Sequence, residues 1–275
     1  MLPALAVLVL VAAPTNLVNA QLETRAGGGR LAAIVKELSA AGSKPTWLAY
    51  AEPGRNKGHM CCYELRGSQV SCPGCVLEGN RHFTFTTARG EAVPLESRNE
   101  IRVLYRIASG RVSDLRVYSA DCPLDADGRP VLWLEGVTST ESLALLRSLA
   151  PALDDDALSA IAQHADPAAD GLLVELAREG KTGDLRSQAL FWLAQVASGK
   201  AVGAIDRAIA EDPETQVKEQ AVFALSEMPD GEGVPHLIDL ARRHRNPAVR
   251  EKAFFWLGES EDPRALAFFE EVLKN

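Results

Sequence analysis

The stretch Leu185-Arg186-Ser187-Gln188-Ala189-Leu190-Phe191-Trp192-Leu193 returns twice, as Val217-Lys218-Glu219-Gln220-Ala221-Val222-Phe223-Ala224-Leu225 and as Val249-Arg250-Glu251-Lys252-Ala253-Phe254-Phe255-Trp256-Leu257. Both steps are 32 residues. Apolar side chains recur at helical spacing in each copy, and a small residue holds one place (Ala189, Ala221, Ala253), which predicts a helix that a neighbour approaches closely. A second set keeps the same step, since Ile205, Leu237 and Phe269 correspond, as do Ile209, Ala241 and Leu273. Run backwards, the register finds Leu153, Ala157, Leu158 and Ile161, with Leu173 and Ala177 behind them. Four helical hairpins are predicted, with a half-unit at Leu145–Ala150 as a cap. Hairpins of this kind cannot bury their apolar faces alone and stack into a solenoid.

Asp166-Pro167, Asp212-Pro213 and Asp262-Pro263 punctuate the loops. With the alanine position, these features resemble HEAT repeats of the short bacterial type also called PBS-lyase HEAT-like. The resemblance covers about 125 residues. Taken whole, the chain resembles a bacterial exported HEAT repeat domain-containing protein with a cysteine-bearing N-terminal module. That resemblance implies a protein-interaction scaffold and names no partner. Two enzymes similar in fold offer little. Deoxyhypusine hydroxylase uses repeated His-Glu pairs, whereas His59, His82, His164, His236 and His244 precede Met60, Phe83, Ala165, Leu237 and Arg245. Phycobilin lyases share the repeat without lending it a transferable catalytic residue.

The 275 residues carry a net charge of −8, unevenly spread: residues 1–152 sum to +2 and residues 153–275 to −10. An acidic repeat half argues against nucleic-acid binding, which relies on Lys and Arg at phosphates. Leu2 to Ala13 is apolar except for one proline, and Val18-Asn19-Ala20 supplies small residues, so residues 1–20 read as a signal peptide cleaved after Ala20. The apolar run is too short to span a bilayer. The expectation is a periplasmic or secreted protein without stable membrane insertion.

Residues 21–43 read as a linker and an amphipathic helix, with Leu31, Ile34, Val35 and Leu38 at helical spacing. Residues 44–137 read as an antiparallel β-rich domain, with strands at Thr46–Tyr50, His82–Thr86, Ile101–Ile107, Val112–Tyr118 and Val131–Leu134. Ala108-Ser109-Gly110 suits a hairpin turn. Residues 138–275 are the solenoid, and the fold class is therefore α+β. No Walker or dinucleotide glycine loop is present, and Asp125-Ala126-Asp127-Gly128 lacks the carboxylate an EF-hand needs at its twelfth position, which is Gly136.

All five cysteines, Cys61, Cys62, Cys72, Cys75 and Cys122, fall in the β-rich domain. In an exported protein they are first of all disulfide candidates, with the Cys61-Cys62 pair joined to Cys72 and Cys75 across a hairpin and Cys122 left odd. Cys72-Pro73-Gly74-Cys75 also admits a thiol–disulfide redox role, though no helix follows it to lower a thiolate pKa. A zinc site of His59, Cys61 or Cys62, Cys72 and Cys75 is the third reading. The favoured reading takes no cofactor or metal, and no Ser-His-Asp set or paired-carboxylate motif supports catalysis.

In the solenoid, Phe191, Phe223 and Phe255, with Trp192 and Trp256 beside them, make a ladder at the repeat spacing. Inter-repeat packing explains it; so does a ridge that anchors a partner, since Trp and Phe are common at interfaces. Glu211, Asp212, Glu214, Glu259, Glu261 and Asp262 form an acidic edge in the turns, which favours a basic partner.

Overall fold

A computed structural model describes residues 16–42, 44–55, 61, 64–66, 69–72, 74–78, 93–94, 99–196 and 198–274. His59, Cys62 and the strand expected at His82–Thr86 lie outside them, as do residues 1–15 of the expected leader. The chain divides into two compact units, residues 1–145 with 163–166, and residues 146–162 with 167–275. The first unit thus runs into the half-unit expected at Leu145–Ala150 and takes in a four-residue segment beyond it.

The main sheet of the first unit has the order β2-β11-β3-β8-β9, with β2 at Gln21–Ala26, β3 at Thr46–Pro53, β8 at Glu100–Ala108, β9 at Arg111–Ser119 and β11 at Pro130–Glu135. β3, β8 and β9 are antiparallel, as expected. The β8–β9 turn is Ser109-Gly110 with φ 52° and 78°, the left-handed pair that matches strand twist in a two-residue hairpin. The sheet as a whole is mixed, however: β11 lies between β2 and β3 and runs parallel to both. The expectation of a purely antiparallel domain fails because residues 21–43 are more than a linker and a helix. They hold β2 and α1 (Leu31–Ala40), so that β2, α1 and β3 form a strand–helix–strand unit. β2 is an edge strand whose residues are exposed or nearly so, and its sequence QLETRA has no buried face to reveal it. The glycine run that follows has a packing reason. A Cβ on Gly28 would stand 2.5 Å from the Gly136 carbonyl oxygen, and one on Gly27 would stand 2.8 Å from Leu134 Cβ.

Smaller sheets accompany this one. β1 (Leu17–Val18), β10 (Leu124–Asp125) and β6 (Cys75–Val76) pair in parallel, while β4 (Glu64–Arg66), β5 (Gln69–Cys72) and β7 (Val93–Pro94) pair antiparallel. Asn16 Nδ2 donates to the carbonyls of Ala120 and Cys122 at 3.0 and 2.9 Å, and Leu17 is buried. Cleavage after Ala20 would remove both residues and β1.

Alternation along β3 divides the interior. Trp47 and Ala49 join Leu104, Val131 and Trp133 in a core with Cys72, Cys75, Leu77, Cys122 and Leu124. Tyr50 and Glu52 instead meet Ser142 and Ser139 of α2 (Ser139–Leu149).

The helical run continues with α3 (Asp154–Gln163), α4 (Ala168–Glu179), α5 (Gly183–Val196), α6 (Ser198–Glu211), α7 (Thr215–Ser226), α8 (Val234–Arg243), α9 (Pro247–Gly258) and α10 (Pro263–Lys274). α5, α7 and α9 pack side by side, and α4, α6, α8 and α10 pack against them. The repeat positions are buried in register: Ala189, Ala221 and Ala253 are fully covered, as are Leu193, Leu225 and Leu257 to within 1%. Ile209 and Ala241 are also buried, but Leu273, which holds their place in α10, is 85% exposed.

A periodic cation closes the turns. Arg186 Nη1 donates to the Gly180 carbonyl at 2.9 Å, Lys218 Nζ to Ala210 at 3.1 Å, and Arg250 Nη1 to His244 at 2.7 Å. These three residues stand 32 apart, and each satisfies a carbonyl left over at the end of the preceding helix. Arg186 also grips Asp212 with Nε and Nη2 at 2.7 and 3.0 Å, and both side chains are nearly buried. The acidic edge expected in the turns is therefore not uniformly solvated: Asp212 is paired inside, while Glu211, Glu259 and Glu261 are exposed.

Removing Arg186 leaves a buried carboxylate without its partner, at a cost of about 3–5 kcal/mol. Arg186→Met is expected to lower the thermal midpoint of the helical unit clearly, and Arg186→Met with Asp212→Leu to recover most of the loss, by differential scanning calorimetry.

Candidate functional site

Two groups of side chains carry chemistry in the first unit, and one surface stands out in the second. On the cysteine side of the sheet, Cys61 is bonded to Cys122, with Cα atoms 5.7 Å apart. This corrects the expectation that Cys61 pairs with Cys72 or Cys75 and that Cys122 is the odd thiol. The expected pairing relied on a local hairpin, whereas β10 lies beside β6 and brings the segment that precedes it, with Cys122, into the cysteine core. The bridge also withdraws the Cys61 thiolate from the zinc set. Cys61, Cys122 and Asp121 are the clustered ligand-type residues among those described, and two of the three atoms are the bridged sulfurs. Cys72 and Cys75 are buried, and Gly74 N–H donates to Cys72 Sγ at 3.3 Å.

Beside them Glu78 collects three donors. Trp47 Nε1 reaches it at 3.0 Å, and Arg106 binds both oxygens at 3.1 and 3.2 Å. Burial pushes the Glu78 carboxyl up, but the Arg106 and Trp47 hydrogen bonds outweigh it and hold the group below its ordinary range.

The opposite side of the sheet holds a network that the sequence reading did not bring together. Tyr50 Oη lies 2.8 Å from Tyr105 Oη and 2.7 Å from Ser142 Oγ, and Ser142 Oγ lies 2.8 Å from His164 Nε2. All four residues are fully buried. A serine hydroxyl on an imidazole has the spacing of a nucleophile and its base, but here the hydroxyl is enclosed and its other neighbour is a tyrosine. The arrangement fastens segment 163–166 to the sheet, where Gly54 bridges His164, Arg55 N–H donates to Gln163 at 2.8 Å, and Ala165 N–H donates to Pro53 at 3.0 Å. Burial pushes both phenols up, so they stay neutral donors.

Glu52 sits next to this latch, 2% exposed, accepting from Ser139 Oγ at 2.6 Å through Oε2, while Oε1 has no hydrogen-bond partner among the described residues. Burial raises its pKa to about 7 despite the Ser139 bond, and the charges of Asp166 and Glu141 add to the rise.

The surface in the second unit is built by the three repeated helices. On α5, α7 and α9 the residues at the alanine and leucine positions face inward, which turns the aromatic positions outward. Phe191 and Phe223 stack at 6.0 Å with planes 6° apart, and Phe223 meets Trp256 at 4.8 Å. Trp192 packs edge-on to Phe191 at 5.5 Å and donates through Nε1 to Asp155 at 3.3 Å. The expected ladder thus steps sideways at its last rung. Trp256 continues the stack, and Phe255 packs edge-on against it at 4.9 Å. Phe191, Trp192, Phe223 and Trp256 are half-buried and Phe255 is 52% exposed, so the strip is a surface feature resting on the core.

On the other layer a cleft of about 310 Å³ opens between α4 and α6, lined by Val174, Arg178, Ala204, Arg207, Glu211 and Asp212. Its charges are of both signs, and Arg186 and Asp212 in its lining are paired with each other.

Helical hairpins in register, two layers deep, define an α-solenoid. A family model described as HEAT repeats matches residues 203–275, which covers most of α6 and all of α7 to α10. The match supports a HEAT-repeat protein. No curated protein matches the chain.

Three measurements check the first unit. Folding raises the Glu52 pKa from 4.5 to about 7, so the folded state takes up a proton across that window. Stability is highest below pH 4.5 on this account and falls as pH rises through 7, by up to about 3 kcal/mol. Glu52→Gln is expected to flatten the dependence of the unfolding midpoint between pH 5 and 8.5. The Cys61–Cys122 bridge closes a separation of 61 residues, worth roughly 4 kcal/mol by loop entropy. A non-reducing digest should yield the peptide pair carrying Cys61 and Cys122, and Cys122→Ser should shift the denaturant midpoint of this unit downward.

Proposed function

We propose that the protein is an exported bacterial scaffold, non-catalytic, that binds a protein partner through its HEAT-repeat surface. One observation carries this reading: the partly exposed aromatic strip on α5, α7 and α9, ending in Phe255. HEAT repeats generally mediate protein–protein interaction, and Trp and Phe are enriched where protein surfaces meet. The Cys61–Cys122 bridge suits an oxidising compartment and supports export. Among the described residues no helix is long and apolar enough to cross a membrane. Buried Cys72 and Cys75 fit a structural role better than thiol exchange, which needs an accessible sulfur.

A photo-reactive phenylalanine placed at position 255 is expected to give a discrete adduct in intact cells, recovered with periplasmic or secreted material. The same probe at Arg207, exposed on α6, should not. Phe223→Ala with Trp256→Ala should abolish the adduct while circular dichroism stays unchanged. Equal adducts at 255 and 207, or none, would overturn the reading.

A further inference from the structure

The aromatic strip is bordered by carboxylates that share its period. Residues four apart on a helix are neighbours on its surface, and Phe223 has Glu219 and Glu227 at those distances, while Phe255 has Glu251 and Glu259. Glu227, Glu251 and Glu259 are exposed and Glu219 is partly so. On α5 the corresponding places beside Phe191 are Ser187 and Gln195, both uncharged. The acidic borders therefore belong to α7 and α9, the end of the strip where Phe255 is exposed.

The surface already holds one cation in this manner. Lys252 Nζ lies 5.9 Å above the Phe255 ring and 4.0 Å from Glu219. An ammonium is attracted to a ring face and to a carboxylate beside it, and both attractions act at this site.

We propose that the strip binds a basic segment of a partner protein, rich in Arg and Lys. The cationic side chains lie on the rings of Phe223, Trp256 and Phe255 and pair with Glu219, Glu227, Glu251 and Glu259. The proposal rests on the docking role given to the strip above and specifies the partner's chemistry.

The test uses the full chain and peptides of about twelve residues that alternate serine with Arg, Gln, Leu or Glu. Calorimetry should detect the Arg-Ser peptide alone, with affinity that drops as salt rises from about 0.05 to 0.5 M. Replacing Glu219, Glu227, Glu251 and Glu259 by Gln should weaken it by at least roughly tenfold, as should Phe255→Ala. Replacing the exposed carboxylates Asp206, Glu211, Glu232 and Glu261 by Gln should leave it within about twofold. Equal losses in the two Gln sets would show attraction to net negative charge and overturn the proposal. Leu-Ser binding as tight as Arg-Ser, and dependent on Phe255, would overturn the basic specificity while leaving the docking surface standing. Failure of every peptide, beside a cell adduct at position 255, would likewise sink this proposal alone. Failure of both would remove the docking reading with it.

Discussion

Each repeat is joined to the next by one cation that reaches backward. Arg186, Lys218 and Arg250 sit near the starts of α5, α7 and α9, and each donates to a carbonyl at the end of the preceding helix. The end of a helix has unpaired carbonyls and the negative pole of its dipole, so a cation there serves both. The same contact fixes how far the chain travels between helices. With that distance set, Ala189, Ala221 and Ala253 stay in register, and the rings of Phe191, Phe223 and Trp256 come to lie within stacking reach. The surface strip is thus a by-product of how the turns are closed.

The first unit depends on a different economy. One strand, β3, serves two interiors by alternation. Its odd positions feed a cysteine- and tryptophan-rich core, and its even positions feed a set of hydroxyls and a carboxyl. In the first interior the polar residue Glu78 is saturated by Arg106 and Trp47 and costs little. In the second, Glu52 retains an oxygen with no hydrogen-bond partner among the described residues, beside acidic neighbours. Burial pushes both carboxyls up, and only Glu78 has an arginine to bring it back below its ordinary range.

What the sequence made legible followed periodicity. A step of 32 residues repeated three times identifies the helical pairs and their buried positions, since burial imposes the same residue type at each recurrence. Gly110 likewise announced the β8–β9 turn. β2 was hidden because an exposed edge strand has no buried face and so no alternation. The Cys61–Cys122 bond was hidden because it depends on the parallel pairing of β6 with β10, which leaves no local trace. The last rung passed to Trp256, although Phe255 occupies the equivalent position. Adjacent residues stand about 100° apart on a helix, and Ala253 and Leu257 keep their buried places, so the rung passes to the neighbouring side chain without any change of helix register.

Segment 163–166 has a consequence for how the chain is made. His164 is counted with the first unit, yet the residues before and after it belong to the second. A ribosome that has released the chain only as far as residue 150 has delivered the whole main sheet, but not the imidazole that meets Ser142 or the backbone that meets Gly54. The sheet therefore waits, its Tyr50–Tyr105 and Tyr50–Ser142 bonds already within reach but Ser142 without its imidazole, until the first helical hairpin has begun to emerge. A fragment cut at the apparent boundary would remain permanently at that stage, and a cut after Asp166 would not.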